Sequence, residues 1–143
     1  MKLEKSKWNG CPIRYSAEIL ADKWTFLILR DLMFRGKKSY NAFLQSSEKI
    51  STNILADRLQ KLEGFGLIDK TKDSNNRKFY IYSLTQKGID LIPVMFSFFE
   101  WSLKYDDQTF LSQKKIDAIR QNSKSLIDKY KEGHVLILSG DEP

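Results

Sequence analysis

The chain has 143 residues, and its 24 Lys and Arg against 18 Asp and Glu give a formal charge of +6. This length predicts one domain, or one small domain with extra arms, and the 41% share of apolar residues excludes a wholly disordered chain. No apolar stretch approaches the roughly 20 residues of a membrane-spanning helix, and no secretory signal is visible. A single Cys cannot form an internal disulfide and suits a reducing cytosol, so we expect a cytoplasmic protein without membrane contact.

The first two predicted helices follow from their start and stop signals. Pro12 suits the first position of a helix, which makes Cys11 a candidate N-cap. A second helix is predicted from about Asp22 to about Phe34, where apolar residues recur at helical spacing, and Gly36 is its stop signal.

Two shorter helices are predicted next, with a brief polar turn between them. Ser39 can cap a helix over Tyr40 to Gln45, and Ser51 can cap the helix that follows the turn. Ile50 and Leu55 stand at the spacing of a hydrophobic staple across that second cap. Two short helices at this distance are typical of a helix-turn-helix.

A β-hairpin is predicted directly after these helices. Its strands lie within Leu67 to Lys72 and Lys78 to Leu84, and the connecting tip is polar and basic. Helix, turn, helix and hairpin in this order is the layout of a winged helix. We therefore predict a mainly α fold with a small β-hairpin wing.

The C-terminal part of the chain predicts helices with more apolar surface than one core needs. Thr85 can cap a long helix that reaches about Tyr105 and bends at Pro93, and a last helix is predicted over about Ser112 to Lys131. The long helix carries two apolar stripes, and the second one predicts a partner surface, most simply a second copy of the chain. The residues predicted at this dimer interface are Ile13, Ile89, Ile92, Phe96, Phe99, Trp101 and Leu103.

The helix after Ser51 is the candidate recognition helix, because such helices contact base edges mainly through their first residues. Asn53 can make paired bonds to adenine, while Asp57 can accept from a cytosine amino group or pair with Lys61. The alternative is an ordinary capped surface helix beside a solvated hairpin, and the basic hairpin favours DNA binding. The residues predicted to contact DNA are Arg35, Lys37, Lys38, Ser39, Ser51, Thr52, Asn53, Asp57, Arg58, Asn75, Asn76, Arg77 and Lys78.

Cys11 is a candidate sensor of oxidants or electrophiles, because a helix N-terminus favours the reactive thiolate. The alternative for this residue is a small buried hydrophobic side chain. The single His, His134, does not form a metal-site spacing with Cys11, and neither a phosphate-binding loop nor a nucleophile elbow occurs. The sequence therefore predicts no enzyme, no metal and no cofactor.

Three groups of residues resemble the HxlR-type transcriptional regulators, over about residues 10 to 102. The start of that family matches at Cys11-Pro12, Asp22-Lys23-Trp24-Thr25 and Leu27-Ile28-Leu29-Arg30. Its recognition-helix region matches at Ile50-Ser51, Leu55, Arg58-Leu59, Leu62-Glu63 and Gly66-Leu67-Ile68. Its wing exit and dimer helix match at Tyr82-Ser83-Leu84-Thr85, Gly88, Leu91, Pro93-Val94 and Trp101.

The resemblance implies a winged helix-turn-helix homodimer that binds operator DNA and acts as a repressor or activator of transcription. The two-fold symmetry of such a dimer predicts a palindromic site. It further implies that the N- and C-terminal helices build the dimer. In several members the cysteine that corresponds to Cys11 senses oxidants or electrophiles such as quinones. This chain departs from the family pattern at Arg77-Lys78, where paired prolines are frequent, and at Ala21 and Ala56, where Gly and Thr are usual.

These observations together predict one HxlR-type winged-helix domain over residues 1–143. It divides into an N-terminal arm and helix (1–21), a winged helix-turn-helix core (22–84), dimerisation helices (85–131) and a tail (132–143). Two alternatives remain open at this point. One is a regulator gated by an aromatic ligand at the dimer interface, near Trp24, Phe96, Phe99 and Trp101. The other is a winged helix that binds proteins and does not touch DNA.

Overall fold

A computed structural model describes residues 8–122 together with 125 and 128. The described elements follow along the chain as α1 (Pro12–Leu20), α2 (Lys23–Phe34), α3 (Tyr40–Leu44), α4 (Thr52–Gly64), β1 (Ile68–Lys72), β2 (Tyr80–Leu84), α5 (Gln86–Ile89), α6 (Ile92–Tyr105) and α7 (Gln113–Asn122). The predicted class, a mainly helical protein with one small hairpin, is confirmed. No helix among the described residues is long and apolar enough to cross a bilayer.

The helix starts are set by polar side chains that accept a backbone N–H left unpaired in the first turn. The predicted caps Cys11, Ser39, Ser51 and Thr85 are all confirmed, each accepting from the residue three positions on. Asp22 caps α2 in the same way, through the N–H of Thr25. These local bonds explain why the boundaries could be predicted from the sequence alone.

The core lies where α2, α4 and the base of the hairpin meet. Leu29 of α2 and Leu55 of α4 are fully buried, and Phe43 of α3 is almost so. Ile50, which precedes the cap of α4, is buried in the same cluster as Leu55, as the staple spacing predicts. Burying a side chain of this size stabilises the fold by about 1.5–3 kcal/mol. The helix-turn-helix is thus packed onto α2 as one unit.

The hairpin is anchored at its base and exposed at its tip. β1 and β2 pair antiparallel, with Ile68 opposite Leu84 at the base and Lys72 opposite Tyr80 toward the tip. Ile68 and Leu84 are buried. Outside this pairing, the N–H of Tyr82 donates to the carbonyl of Lys38 at 2.8 Å, so the loop between α2 and α3 is attached to β2. The orientation of the hairpin is therefore fixed relative to the helix-turn-helix.

The prediction of one continuous helix from Thr85 to Tyr105 is wrong. The structure has two helices, α5 and α6, separated at Asp90 and Leu91. Pro93 lies in the first turn of α6. Proline lacks a backbone N–H, and the first turn of a helix is the place where that loss is harmless. The expected bend at Pro93 is consequently a break followed by a new helix start.

The last helix is confirmed where the structure describes it. α7 begins at Gln113, and Ile116 and Ile119 are buried. Beyond Asn122, most of the predicted helix to Lys131 lies outside the described residues, as does the tail 132–143.

Candidate DNA-binding surface

The first turn of α4 is exposed and held in place by two hydrogen bonds. Ser51 Oγ accepts from the N–H of Ile54 at 3.3 Å, and the Tyr40 hydroxyl of α3 donates to the carbonyl of Thr52 at 3.1 Å. Thr52 and Asn53 are both exposed beside these bonds. A rigid helix start with small polar side chains facing outward is the geometry by which a recognition helix reaches base edges.

Two serines predicted to contact DNA also serve as caps. Ser39 Oγ accepts from the N–H of Ala42 at 3.2 Å, as Ser51 does at the start of α4. A hydroxyl that accepts one bond can still donate its own hydrogen. Both serines therefore combine a structural bond with a donor that is available for a phosphate oxygen.

Arg58, which the sequence predicts to contact DNA, is paired with two carboxylates of its own chain. Its Nε and Nη2 donate to the two carboxylate oxygens of Asp22 at 2.9 and 3.0 Å, and its Nη1 donates to Asp57 at 2.7 Å. The bond from Arg58 holds the pKa of Asp22 far below its usual range. Lys61 lies 3.4 Å from Asp57, so the predicted pairing of these two residues is confirmed.

The basic cluster after α2 is likewise not uniformly available. Asp31 is only 2% exposed, and two cations lie beside its carboxylate, with Arg35 Nη1 at 3.5 Å and Lys37 Nζ at 4.0 Å. Lys37 donates to Ser46 Oγ at 2.6 Å, and Ser46 donates to Asp31 at 2.6 Å. A buried carboxylate is destabilising unless it is paired, which accounts for these cations. Of the cluster Arg35, Lys37 and Lys38, Lys38 is the exposed member.

The turn between α3 and α4 is fastened to α2 by the same group of charges. Arg30 donates to Asp31 at 2.9 Å and to Glu48 at 3.3 Å. Partial burial of Glu48 raises the pKa of its carboxyl group, but the bonds from Arg30 outweigh this effect and lower that pKa to about 2. The carboxylate therefore stays ionised and paired at neutral pH, and the helix-turn-helix turn is held against α2.

The wing tip presents the four predicted residues to solvent. Asn75, Asn76, Arg77 and Lys78 are all exposed between the two strands. The side-chain oxygen of Asn76 accepts from the N–H of Lys78 at 3.2 Å, which shapes the turn. Arg77 and Lys78 are the two cations of this group, and both are exposed, so their charges can attract phosphate.

A groove of about 340 Å³ between α4 and the hairpin holds residues that the sequence reasoning missed. Gln60 and Lys70 line it beside Ala56 and Tyr40. The alternation along β1, which puts Lys70 and Lys72 on one face of the strand, is the signal that could have identified Lys70. Ala56 of α4 forms part of the groove wall.

The residues predicted for the dimer interface divide into two groups. Ile89 and Ile92 are 8% and 1% exposed and fill the core of the single chain, so their assignment to an interface is wrong. By contrast, Ile13 is 76% and Trp101 66% exposed. Phe96, Phe99 and Leu103 are half-buried. We call the exposed apolar face of α6 the α6 stripe, and its members are Val94, Phe98, Trp101 and Tyr105.

An aromatic cavity of about 630 Å³ lies between α2, α6 and the segment after α6. The residues that line it include three phenylalanines and two arginines, namely Phe26, Phe96, Phe99, Arg30 and Arg35. Trp24 and Trp101, which the sequence places near the predicted ligand at the dimer interface, are not among the residues that line this cavity. Its volume falls in the range of about 300–1,000 Å³ that is usual for small-molecule sites.

Cys11 is exposed, which excludes the alternative of a small buried hydrophobic side chain. Its Sγ accepts from the N–H of Arg14 at 3.4 Å, at the start of α1. Among the residues that the structure describes, no group of three His, Cys, Asp or Glu is placed to hold a metal ion.

The exposed helix start, the fixed turn before it and the attached basic hairpin define a winged helix-turn-helix protein, a class built to bind nucleic acid. The family model of HxlR-like helix-turn-helix proteins matches residues 19–110. The chain belongs to this family. The sequence resemblance is therefore confirmed.

Individual relatives agree with this assignment. The chain is 32% identical to the HTH-type transcriptional regulator YdeP of Bacillus subtilis over 114 residues, 80% of this chain and 85% of YdeP. The crystal structure of PA1607 has a TM-score of 0.67 at 28% identity, covering 77% of this chain and 75% of PA1607.

The transcriptional regulator YodB of B. subtilis, in its reduced form, gives a TM-score of 0.56 at 27% identity, covering 68% and 95% of the two chains. Diamide-treated and quinone-bound forms of YodB have also been solved. The family and its relatives are transcriptional regulators rather than enzymes.

Proposed function

We propose that this protein acts as a homodimer that binds a palindromic operator and regulates transcription from it. The observation that carries the proposal is the exposed first turn of α4, in which Asn53 is presented beside a cap and a bond from Tyr40 that hold the helix start rigid. A two-fold dimer would place two such helices in successive major grooves, roughly 34 Å apart. Each copy would then read one half-site.

The DNA contacts divide by chemistry into base reading and phosphate attraction. Thr52 and Asn53 are the base-reading candidates. Asp57 is a third candidate, although it also forms ion pairs with Arg58 and Lys61. Lys38, Arg77 and Lys78 are exposed cations for phosphate, with Ser39 and Ser51 as hydroxyl donors. Asn75 at the wing tip is also exposed and is a further candidate for contact with DNA. Arg35, Lys37 and Arg58 add to the positive field while their side chains hold carboxylates of the same chain.

Asn53→Ala tests the base-reading role. We expect this variant to lose about 1–3 kcal/mol of discrimination at one base position, because a side-chain amide can pair with both polar atoms of an adenine edge. The measurement is operator affinity against a panel of single-base substitutions. Lys78→Ala is the matched comparison, and it should weaken all sequences alike and reduce the salt dependence. If Asn53→Ala weakened every duplex equally, the assignment of base reading to Asn53 would fail.

The dimer is proposed to form through the α6 stripe, with Ile13 of α1 beside it. Four large apolar side chains recur along one face of α6 and are 37% to 66% exposed in the single chain. Contiguous exposed apolar surface of this kind marks an interaction site, and a two-fold interface uses the same patch twice.

Thiol modification of Cys11 is proposed as the switch. The support is the exposure of the thiol and the 26–28% identity to the quinone-bound and diamide-treated forms of YodB. A quinone would accept the thiolate at a ring carbon, forming a carbon–sulfur bond, and the adduct would take up a proton to give the hydroquinone. Because Cys11 caps α1, an adduct there acts on the start of that helix.

Cys11→Ser should keep operator binding, because serine is also a good N-cap, and should abolish the response to quinone or diamide. The measurement is operator affinity of both proteins before and after treatment, with mass spectrometry to count adducts. A variant that responds to the same extent as the natural protein would exclude Cys11 as the sensor.

The aromatic cavity supports a second candidate function, gating by a small aromatic ligand. Titration of candidate ligands into the Cys11→Ser variant distinguishes this function from thiol sensing. Ligand gating predicts that the operator affinity of the variant still changes with the ligand. The remaining alternative, a winged helix that binds only proteins, predicts no salt-sensitive binding to any duplex.

A further inference from the structure

The recognition helix α4 is attached to the junction of α1 and α2 by an ion pair that crosses 36 residues of sequence. We propose that Asp22 and Arg58 are positioning residues, which set the orientation in which Asn53 meets the DNA without touching DNA themselves. The inference rests on the proposed function, since it concerns how the operator is read.

The Asp22–Arg58 pair has the geometry of a rigid link. Arg58 donates through Nε and Nη2 to both oxygens of the Asp22 carboxylate, at 2.9 and 3.0 Å. Such a fork-to-carboxylate arrangement fixes direction as well as distance. The same carboxylate accepts from the N–H and hydroxyl of Thr25 at 2.8 and 2.9 Å, and Thr25 is buried. Asp22 is therefore itself immobilised at the start of α2.

Arg58 stands one turn along α4 from its exposed first turn, so the pair holds the part of the helix that faces DNA. Its Nη1 donates to Asp57 at 2.7 Å. Asp57 follows Asn53 by four residues and lies on the same face of the helix. A carboxylate in that place would repel phosphate unless it were paired. Arg58 thus compensates Asp57 while it fixes the rotation of α4 about its axis.

A second link holds the other end of the same helix. Lys87 of α5 donates to the carbonyl of Phe65, the C-cap of α4, at 2.8 Å, and to the hydroxyl of Tyr15 in α1 at 2.9 Å. A cation on the last carbonyls of a helix satisfies groups that have no partner inside the helix. α4 is thus fixed at its start by Tyr40, in its middle by Asp22 and at its end by Lys87.

The positioning role makes a prediction that a phosphate contact does not. Asp22→Asn retains the cap of α2, because Asn caps as well as Asp, but removes the charge that holds Arg58. Arg58→Lys retains the positive charge but removes the fork. The readouts are the ratio of operator affinity to random-duplex affinity and the slope of log affinity against log salt, for the full chain. Arg58→Gln and the double variant Asp22→Asn/Arg58→Gln complete the set.

We expect each single variant to lower the operator-to-random ratio by about 5- to 10-fold, with the double variant no worse than either single one. The salt slope should stay unchanged in Asp22→Asn and in Arg58→Lys. The matched control is the bidentate pair of Arg120 with Glu100, at 2.8 and 2.9 Å on α7 and α6. Glu100→Gln should leave both readouts as in the natural protein.

Two results would overturn the inference while leaving the proposed function in place. Arg58 would be a phosphate contact if Arg58→Gln reduced the salt slope by about 0.9 per contact while Asp22→Asn changed nothing. The pair would serve stability alone if thermal unfolding shifted and the operator-to-random ratio did not. If the natural protein itself preferred no duplex, the proposed function and this inference would fail together.

Discussion

Trp101→Glu is expected to convert the proposed dimer into a folded single chain. Trp101 is 66% exposed in the middle of the α6 stripe, so its removal leaves the core of the chain intact. Truncating a buried aromatic anchor of an interface commonly costs 2 kcal/mol or more, and a carboxylate buried without a partner adds to that loss. We expect the dimer dissociation constant to rise by about 100-fold or more. Sedimentation equilibrium measures this constant directly.

Operator affinity of Trp101→Glu should fall as the dimer is lost, because a single chain reaches only one half-site. Phe79→Glu is the matched control for association, because Phe79 is 51% exposed but lies in the hairpin, away from α6. It should leave the dimer dissociation constant unchanged. Unaltered thermal unfolding of Trp101→Glu would show that the fold survives. A Trp101→Glu protein that remained dimeric at the same concentrations would exclude the α6 stripe as the interface.

Gly88→Ala is expected to lower the free energy of unfolding by about 3 kcal/mol, the upper end of the usual cost of overpacking. Gly88 is buried in α5, and a Cβ there would overlap the backbone carbonyl oxygen of Leu67 and approach Leu84 Cδ2 to 3.0 Å. The Leu67 carbonyl cannot simply move away, because it accepts from the N–H of Thr85 at 3.0 Å and so closes the base of the hairpin. Urea unfolding, followed by circular dichroism, measures the loss.

Gly64→Ala provides the comparison on the same chain. Gly64 lies at the end of α4, and a Cβ there meets nothing within 4 Å. Alanine is a better helix former than glycine by up to about 1 kcal/mol, so we expect no loss of stability and a small gain. Equal destabilisation by the two variants would show that the contact between α5 and the hairpin base does not have the importance assigned to it.

The helix starts and the core stripe are the parts of the fold that the sequence predicts best. Ser39, Ser51 and Thr85 cap helices through residues three positions away, and Ile50 and Leu55, on either side of one cap, belong to the same buried cluster. Interactions of such short range hardly depend on the rest of the fold. The family resemblance extends this local information to the order of the elements, and hence to the winged helix-turn-helix.

The candidate site was predicted less completely, because charge alone does not reveal a partner. Arg58, Arg35 and Lys37 have the residue types of phosphate contacts, yet each of them holds a carboxylate of its own chain. Long side chains can reach residues far away in sequence, and an ion pair forms wherever folding brings opposite charges together. Lys70 was missed because its position in the groove depends on how the hairpin lies against α4, which the sequence does not reveal.

The sequence by itself determined the local order of the chain. The helix starts depend on caps three positions away, and the hairpin depends on two strands joined by one short turn. The tertiary structure alone decided that Ile89 and Ile92 belong to the core, that Trp101 and Ile13 face outward, and that Asp22 meets Arg58. The physical reason is that burial and long-range pairing depend on which helix faces pack together, and periodicity within one helix leaves that choice open.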